Sequence, residues 1–286
     1  MAARKAAVLG SPIAHSLSPS LHRAAYAKLG LDGWSYQAIE CDEAGLPGRL
    51  AGCGRQWAGL SLTMPLKRAV LPLLDRADPV AAATGGANTV VFSAGARLGY
   101  NTDVAGLVTA LAEAGLDRAP VGALVLGGGA TACSALAALA ELGLRQAAVA
   151  VRDPARAAGL LTAASRLKMS VELCPFGTEP GAELLVSTVP AGAADFYAER
   201  LRGIAHPPRI VLDVVYHPWP TPLATAASQA GSAAVSGLEL LVHQAARQVE
   251  LMTGRTPPVR AMRKAGLAEL ARRAEINLTS NSLTPK

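Results

Sequence analysis

The chain has 286 residues, 51% of them hydrophobic and 17% charged, with a formal charge of +6 and a mean hydropathy of +0.28. This composition excludes a disordered chain, and the length allows one large or two ordinary domains with a full core. No run approaches the ~20 apolar residues of a membrane span, and the opening residues lack a signal-peptide core, so a soluble cytoplasmic protein is expected.

The chain opens with a predicted strand, Ala6 to Leu9, then a turn and a helix announced by Ser18-Pro19, with Ser18 as its expected N-cap and Gly30 as its stop. Trp34, Tyr36 and Ala38 alternate as a half-buried strand, Asp42 can cap a short helix, and Gly59 to Thr63 reads as a strand. Met64-Pro65 opens a predicted helix through Leu74, and Asn88–Phe92 with Leu98–Tyr100 form a hairpin around Ser93-Ala94-Gly95. The texture then changes. Asp103–Ala114 is an amphipathic helix, Val121–Leu126 an unbroken apolar strand, and Gly127-Gly128-Gly129 leads into an Ala/Leu helix to Leu142. Strand Ala147–Val151, helix Pro154–Leu167 and strands Glu183–Ser187 and Ile210–Val215 continue the alternation, which implies a parallel sheet covered on both faces. Helices Leu238–Met252 and Val259–Arg273 close the ordered chain, and residues 276–286 are expected to be a disordered tail.

The four cysteines, Cys41, Cys53, Cys133 and Cys174, have no metal-ligand spacing and read as small buried hydrophobes in a reducing compartment, so no metal is expected. The 27 Lys and Arg are scattered and aromatics are only 4% of the chain, which argues against nucleic acid. The densest basic stretch, Arg260, Arg263, Lys264, Arg272 and Arg273, reads as the solvated face of the last helix. A mild positive field favours an anionic small substrate or cofactor.

The Gly127-x-Gly129-x-x-Ala132 run sits between a buried strand and a helix, the setting in which glycines let backbone amides approach a dinucleotide pyrophosphate. The next strand runs into Arg152-Asp153-Pro154, with Arg156 beyond. Two arginines suit the 2′-phosphate of NADP, while Asp153 either caps the following helix or faces a ribose hydroxyl. NADP is the favoured reading. Small polar clusters mark the first hundred residues: Ser16 and Ser18, then Thr63 with Lys67, then Asn88, then Asn101-Thr102-Asp103. Singly, each has a plain structural reading as a cap, turn or solvated charge. Together they suggest a pocket for a polyhydroxylated ligand.

In these motifs the chain resembles the shikimate dehydrogenase family. The resemblance rests on Ser-x-Ser-Pro at 16–19, Leu-Thr-x-Pro-x-Lys at 62–67, Asn88, Asn-Thr-Asp at 101–103, the glycine loop, Asp213-x-x-Tyr216-x-Pro218, Gly237-Leu238 and Gln244-Ala245-Ala246. It departs where Val151-Arg152-Asp153 replaces the usual Asn-Arg-Thr and where Ala130 replaces a glycine. The resemblance implies two α/β domains, a substrate domain of residues 1–103 plus 237–275 and a Rossmann-type NADP domain with a parallel sheet over 104–236. It implies NADP(H)-dependent reduction of 3-dehydroshikimate to shikimate in aromatic amino acid biosynthesis, by a monomer or homodimer with no membrane or nucleic-acid partner. Lys67 and Asp103 would be the catalytic pair. Ser16, Ser18, Thr63, Lys67, Asn88, Asp103, Tyr216 and Gln244 would hold the substrate. Gly127, Gly128, Gly129, Ala130, Arg152, Arg156, Thr188, Val189 and Gly237 would hold the cofactor. Reduction of a ketone leaves an oxygen in need of a proton and a nearby cation, and a lysine ammonium supplies both. The competing readings are a quinate or dual-substrate dehydrogenase using NAD, a ligand sensor on the same scaffold, and a methyltransferase.

Overall fold

The structure, a computed structural model, describes residues 3–179 and 181–282. The first hundred residues build a six-stranded mixed sheet from β1 (Arg4–Gly10), β2 (Trp34–Glu40), β3 (Trp57–Leu62), β4 (Arg76–Ala77), β5 (Thr89–Ser93) and β6 (Ala96–Tyr100), in the order β2-β1-β3-β5-β6-β4. Helices α1 (Ser18–Lys28), α2 (Leu46–Ala51), α3 (Leu66–Ala69) and α4 (Pro79–Thr84) connect them. Helix α5 (Thr102–Glu113) leads into the second sheet. That sheet is formed by β7 (Ala123–Leu126), β8 (Gln146–Val151), β9 (Ser170–Pro175), β10 (Leu184–Ser187), β11 (Ile210–Asp213) and β12 (Ala233–Ser236). Its helices are α6 (Ala130–Glu141), α7 (Ala158–Arg166), α8 (Asp195–Leu201) and α9 (Pro222–Gln229), and α10 (Gly237–Thr253) and α11 (Val259–Ser282) return to the first sheet.

Every pair in the second sheet is parallel, and its order, β12-β11-β10-β7-β8-β9, is the doubly wound order of a dinucleotide-binding sheet. β7, β10 and β11 are buried along their whole length, as strands covered on both faces must be. The strand order reverses between β7 and β10, so a crevice opens at their carboxyl ends, beside Gly127 and Thr188. Helices α5 and α10 pack against each other between the sheets, and Val104, Leu107, Leu111 and Leu240 join the core of the second sheet. A separate core of Leu17, Leu21, Leu238, Val242 and Met262 locks α1, α10 and α11 together.

Several local expectations change. The helix expected over Met64–Leu74 is split into α3 and a 3-10 turn, Leu71–Leu73, because Pro72 has no N–H to continue it and biases Leu71 away from the α region. The predicted hairpin forms through a two-residue turn, with Ala94 at φ +50° and Gly95 at φ +83°, whose twist suits the flanking strands. Ser18 does not cap α1. Leu17 holds the N-cap position without a side-chain bond, and the Ser18 N–H donates instead to Ser16 Oγ at 3.3 Å. Asp42 caps a turn rather than a helix, accepting from the Gly45 N–H at 2.8 Å. β9, β12, α8 and α9 are short, and they escape the sequence reading.

The last helix corrects two expectations. It runs on through residues 276–282, where a disordered tail was expected, because no Gly or Pro follows Gly266 until Pro285; residues 283–286 lie outside the described ones. Its basic side chains are not simply solvated. Arg263 reaches Glu113 of α5 at 2.6 Å and Glu239 of α10 at 2.7 Å, and Arg273 reaches the connection before α1. All four cysteines are free. Among the described residues no helix is long and apolar enough to cross a membrane.

His22 on α1 is fully buried, stacked 3.9 Å from Tyr36, with Nδ1 on the Ser18 carbonyl and Nε2 without a partner. Burial lowers its pKa to about 4. The unfolded chain takes up the proton first, so stability is lost as the pH falls from 6.5 toward 4. The expected loss at pH 4.5 is about 2–3 kcal/mol. Urea unfolding at pH 7 and 4.5 should show a smaller pH difference for His22→Gln than for the parent, and equal differences would exclude this origin.

Candidate active site

The catalytic candidates come from three chain reversals that meet. After β3 the chain turns through Thr63, Met64 and Pro65, which sets Lys67 in the first turn of α3. The Lys67 carbonyl takes a hydrogen bond from the Ala87 N–H at 2.8 Å, which staples the segment before β5 alongside. The Asn88 N–H reaches the Tyr100 carbonyl at 3.0 Å, so the end of β6 arrives at the same place. There Asn101 caps α5, its side chain accepting from the Asp103 N–H at 3.1 Å. Capping by Asn101 leaves the Asp103 carboxylate free, in the first turn, where the helix dipole favours it.

The result is a Lys67 Nζ to Asp103 Oδ2 contact of 2.6 Å, with the Lys67 side chain 19% and the Asp103 side chain 8% exposed. Asp103 Oδ1 accepts from Asn88 Nδ2 at 2.7 Å. The Asn88 amide is oriented from its other end, where Oδ1 accepts from the Thr102 N–H at 2.8 Å and the Thr89 hydroxyl at 2.9 Å. Gln244 enters from α10, its Oε1 3.3 Å from Asn88 Nδ2. It gets that close because Gly106 has no side chain: a Cβ there would stand 3.0 Å from the Gln244 backbone nitrogen and the Leu240 carbonyl.

These groups line one cavity of about 280 Å³ in the crevice between the sheets. All eight residues assigned to the substrate from sequence face it: Ser16, Ser18, Thr63, Lys67, Asn88, Asp103, Tyr216 and Gln244. Burial raises the Tyr216 hydroxyl above the ordinary tyrosine range, and Arg273 pulls it partway back. Gly237 also faces the cavity, as the first residue of α10. Four polar wall residues were missed: His15, Ser61, Thr131 and Gln248. Two had a signal, since Ser61 shares a strand face with Thr63 and Gln248 a helix face with Gln244. Ser61 accepts from the Tyr36 hydroxyl at 2.7 Å and donates to Gln248 at 2.8 Å, and Gln248 donates to Thr89 at 3.0 Å. The wall is thus hydrogen-bonded back to Asn88's neighbour.

The cofactor candidates lie at the crevice end of the second sheet. Gly127 follows β7 at φ +104°, and a Cβ there would come within 2.8 Å of Thr188 Oγ1 and 3.1 Å of Val189 Cγ1. Only glycine fits that turn. Thr188 Oγ1 is itself held by the Leu126 carbonyl at 2.6 Å. Gly128 follows, Gly129 takes the N-cap position of α6 with no side-chain cap, and Ala130 is the first helical residue, so free backbone amides point out of the turn. Arg152 and Arg156 are exposed beyond β8 and outside the substrate cavity, and among the described residues neither has an ion-pair partner. Asp153 is engaged: it caps the 3-10 turn Pro154–Ala157 through the Ala155 N–H at 3.0 Å. A glycine cradle with two unpaired guanidinium groups fits a dinucleotide carrying an extra phosphate.

The family model described as "Shikimate dehydrogenase substrate binding domain" matches residues 8–90, and that described as "Shikimate 5'-dehydrogenase C-terminal domain" matches residues 237–265. The Shikimate dehydrogenase (NADP(+)) of Thermus thermophilus is 38% identical over 94% of this chain and 97% of its own length. The crystal structure of the Mycobacterium tuberculosis shikimate dehydrogenase is 45% identical and covers 93% of this chain and 99% of its own, with a TM-score of 0.83. A Thermus thermophilus shikimate 5-dehydrogenase in complex with NADP(H) and shikimate is 35% identical over 93% of this chain and 99% of its own, with a TM-score of 0.80. At such identity over nearly the whole chain, and with the motif residues gathered round one crevice, the chain belongs to the shikimate dehydrogenase family.

Proposed function

We infer that the chain catalyses the reversible, NADPH-dependent reduction of 3-dehydroshikimate to shikimate. The observation that carries this reading is the Lys67–Asp103 pair at 2.6 Å in the wall of a polar cavity that opens at the switch point of the doubly wound sheet. NADP(H), when bound, supplies or takes up the hydride. The chain's own work is to hold the ring and manage the proton. Ser16, Ser18, Thr63, Asn88, Tyr216 and Gln244 present hydroxyl, amide and phenol groups to a ligand rich in hydroxyls. Lys67 Nζ offers a proton and a compact positive charge to the oxygen that becomes the alcohol, while Asp103 fixes where that ammonium stands. In the oxidation direction the same pair receives the proton.

On the cofactor side, Gly127 to Ala130 would receive the pyrophosphate, with Thr188 and Val189 closing the turn and Gly237 bordering the cleft. Arg152 and Arg156 would take the 2′-phosphate. Asp153, occupied by its cap, supports NADP over NAD, because its carboxylate is turned to the backbone. Residues 1–103 with 237–275 form the substrate domain in this reading, and 104–236 the cofactor domain. Free thiols fit a reducing cytoplasm, where the protein would act as a monomer or homodimer.

Reduction of NADP and of NAD, each measured with shikimate and with quinate, tests the assignment directly. Turnover is expected with shikimate and NADP; efficient turnover of quinate or of NAD would correct the substrate or the cofactor. Lys67→Ala should lower kcat at least about a hundredfold with little change in KM, and activity within about tenfold of the parent would remove Lys67 as the acid. Thr63→Ala or Gln244→Ala should raise the KM for shikimate. Replacing Arg152 and Arg156 by Ala should raise the KM for NADP about tenfold or more and leave that for NAD in place, as the loss of charge-assisted bonds requires.

A further inference from the structure

The connection between β1 and α1, residues 11–17, contributes Pro12, Ile13, His15 and Ser16 to the cavity wall yet has no regular structure of its own. Its shape is set from outside, at both ends. At the near end Glu40 accepts from the Ser11 hydroxyl at 2.6 Å and from the Ile13 N–H at 3.0 Å. At the far end Arg273 of α11 donates from Nη1 to the His15 carbonyl at 2.8 Å and from Nη2 to the Ser16 carbonyl at 3.1 Å. Its third face is held in turn, with Nε donating to Glu269 at 2.7 Å. The Tyr216 hydroxyl donates to the same His15 carbonyl at 3.4 Å.

A guanidinium can serve two successive carbonyls and a carboxylate at once because its donors lie in one rigid plane; an ammonium cannot span them. Ordering the two peptides that flank Ser16 fixes the direction of its side chain. It also fixes the start of α1, because Ser16 Oγ accepts from the Ser18 N–H. Arg272 and then Arg273 hold the Glu269 carboxyl down to about 2, so this anchor keeps its charge below the pH at which an ordinary glutamate is neutralised.

We propose that Arg273, braced by Glu269, is a positioning residue for substrate binding: it pins the His15–Ser16 backbone so that the Ser16 and Ser18 hydroxyls face the cavity. The inference rests on the reading of the cavity as the shikimate site. It gives the last helix a part in substrate affinity, although none of its described side chains lines the cavity.

The test compares the parent with Arg273→Ala, Arg273→Lys and Arg272→Ala in kcat, in KM for shikimate and in KM for NADP, together with amide hydrogen exchange over residues 15–17. Arg273→Ala should raise the KM for shikimate about tenfold, as the loss of charge-assisted bonds predicts, with kcat and the KM for NADP changed less than about threefold. Arg273→Lys should fall between it and the parent, added guanidinium ion should partly restore the alanine variant, and exchange at 15–17 should quicken. Arg272→Ala, which shares Glu269 but touches no carbonyl of the connection, should behave as the parent. An unchanged KM for shikimate, an equal rise in Arg272→Ala, a parallel rise in the KM for NADP, or unchanged exchange at 15–17 would each overturn the proposal. Should the alanine variant not fold, the lysine variant decides on the same readouts. A parent that does not turn over shikimate would refute the functional reading instead, and the exchange measurement would still decide whether Arg273 pins the connection.

Discussion

The Asn88 side chain is buried where β5, α5 and α10 converge, and both ends of its amide are occupied. The Thr102 N–H can only donate, so it selects Oδ1, and the amide nitrogen is left facing Asp103 and Gln244. That one orientation decides where the Asp103 carboxylate stands, and through it where the Lys67 ammonium stands 2.6 Å away. A buried amide that loses one partner costs about 1–3 kcal/mol, so the arrangement holds together or fails as a unit. Backbone bonds extend the same constraint: Leu62 N–H to the Asn88 carbonyl at 2.7 Å, and Ala87 N–H to the Lys67 carbonyl at 2.8 Å.

The rest of the molecule brings three kinds of surface to that point. The mixed sheet supplies β3 and the β5–β6 hairpin, whose ends carry Thr63, Asn88 and Asp103. The parallel sheet supplies the glycine turn at its switch point. Between them α5 and α10 form a shared wall, so close at Gly106 that a Cβ there would stand 3.0 Å from the Gln244 backbone nitrogen and the Leu240 carbonyl. A small cavity with polar walls on one side and a dinucleotide cradle on the other is the outcome of that packing rather than of any one motif.

Charge is used to tie this scaffold as much as to meet ligands. Arg263 joins α5, α10 and α11 through Glu113 and Glu239, and Arg273 ties α11 to the connection before α1. Each is part of a network with carboxylates on neighbouring elements, a setting in which ion pairs hold geometry better than isolated surface pairs do. Arg152 and Arg156 stand apart from these networks: both are exposed and, among the described residues, without an ion-pair partner.

Strand and helix periodicity, the glycine turn and the cap-and-proline signatures are local properties, and the amino-acid sequence by itself determined them: the strand–helix alternation of the second half, the hairpin and the order of the site motifs were legible, whereas β9, β12, α8 and α9 and the order of the strands were not. Which polar residue would cap and which would face the cavity was not. Ser18, Asp103 and Asn88 each fit a cap or a turn equally well, and the choice went to Ser16, Asn101 and the Thr102 amide only when neighbouring elements had set the backbone angles. The bond from Ser61 to Gln248 spans 187 residues and that from Arg273 to Ser16 spans 257. Such pairs carry no local signal, because sheet register and helix packing, not spacing along the chain, bring their atoms within bonding distance. The tertiary structure therefore decided how the wall of the site is braced.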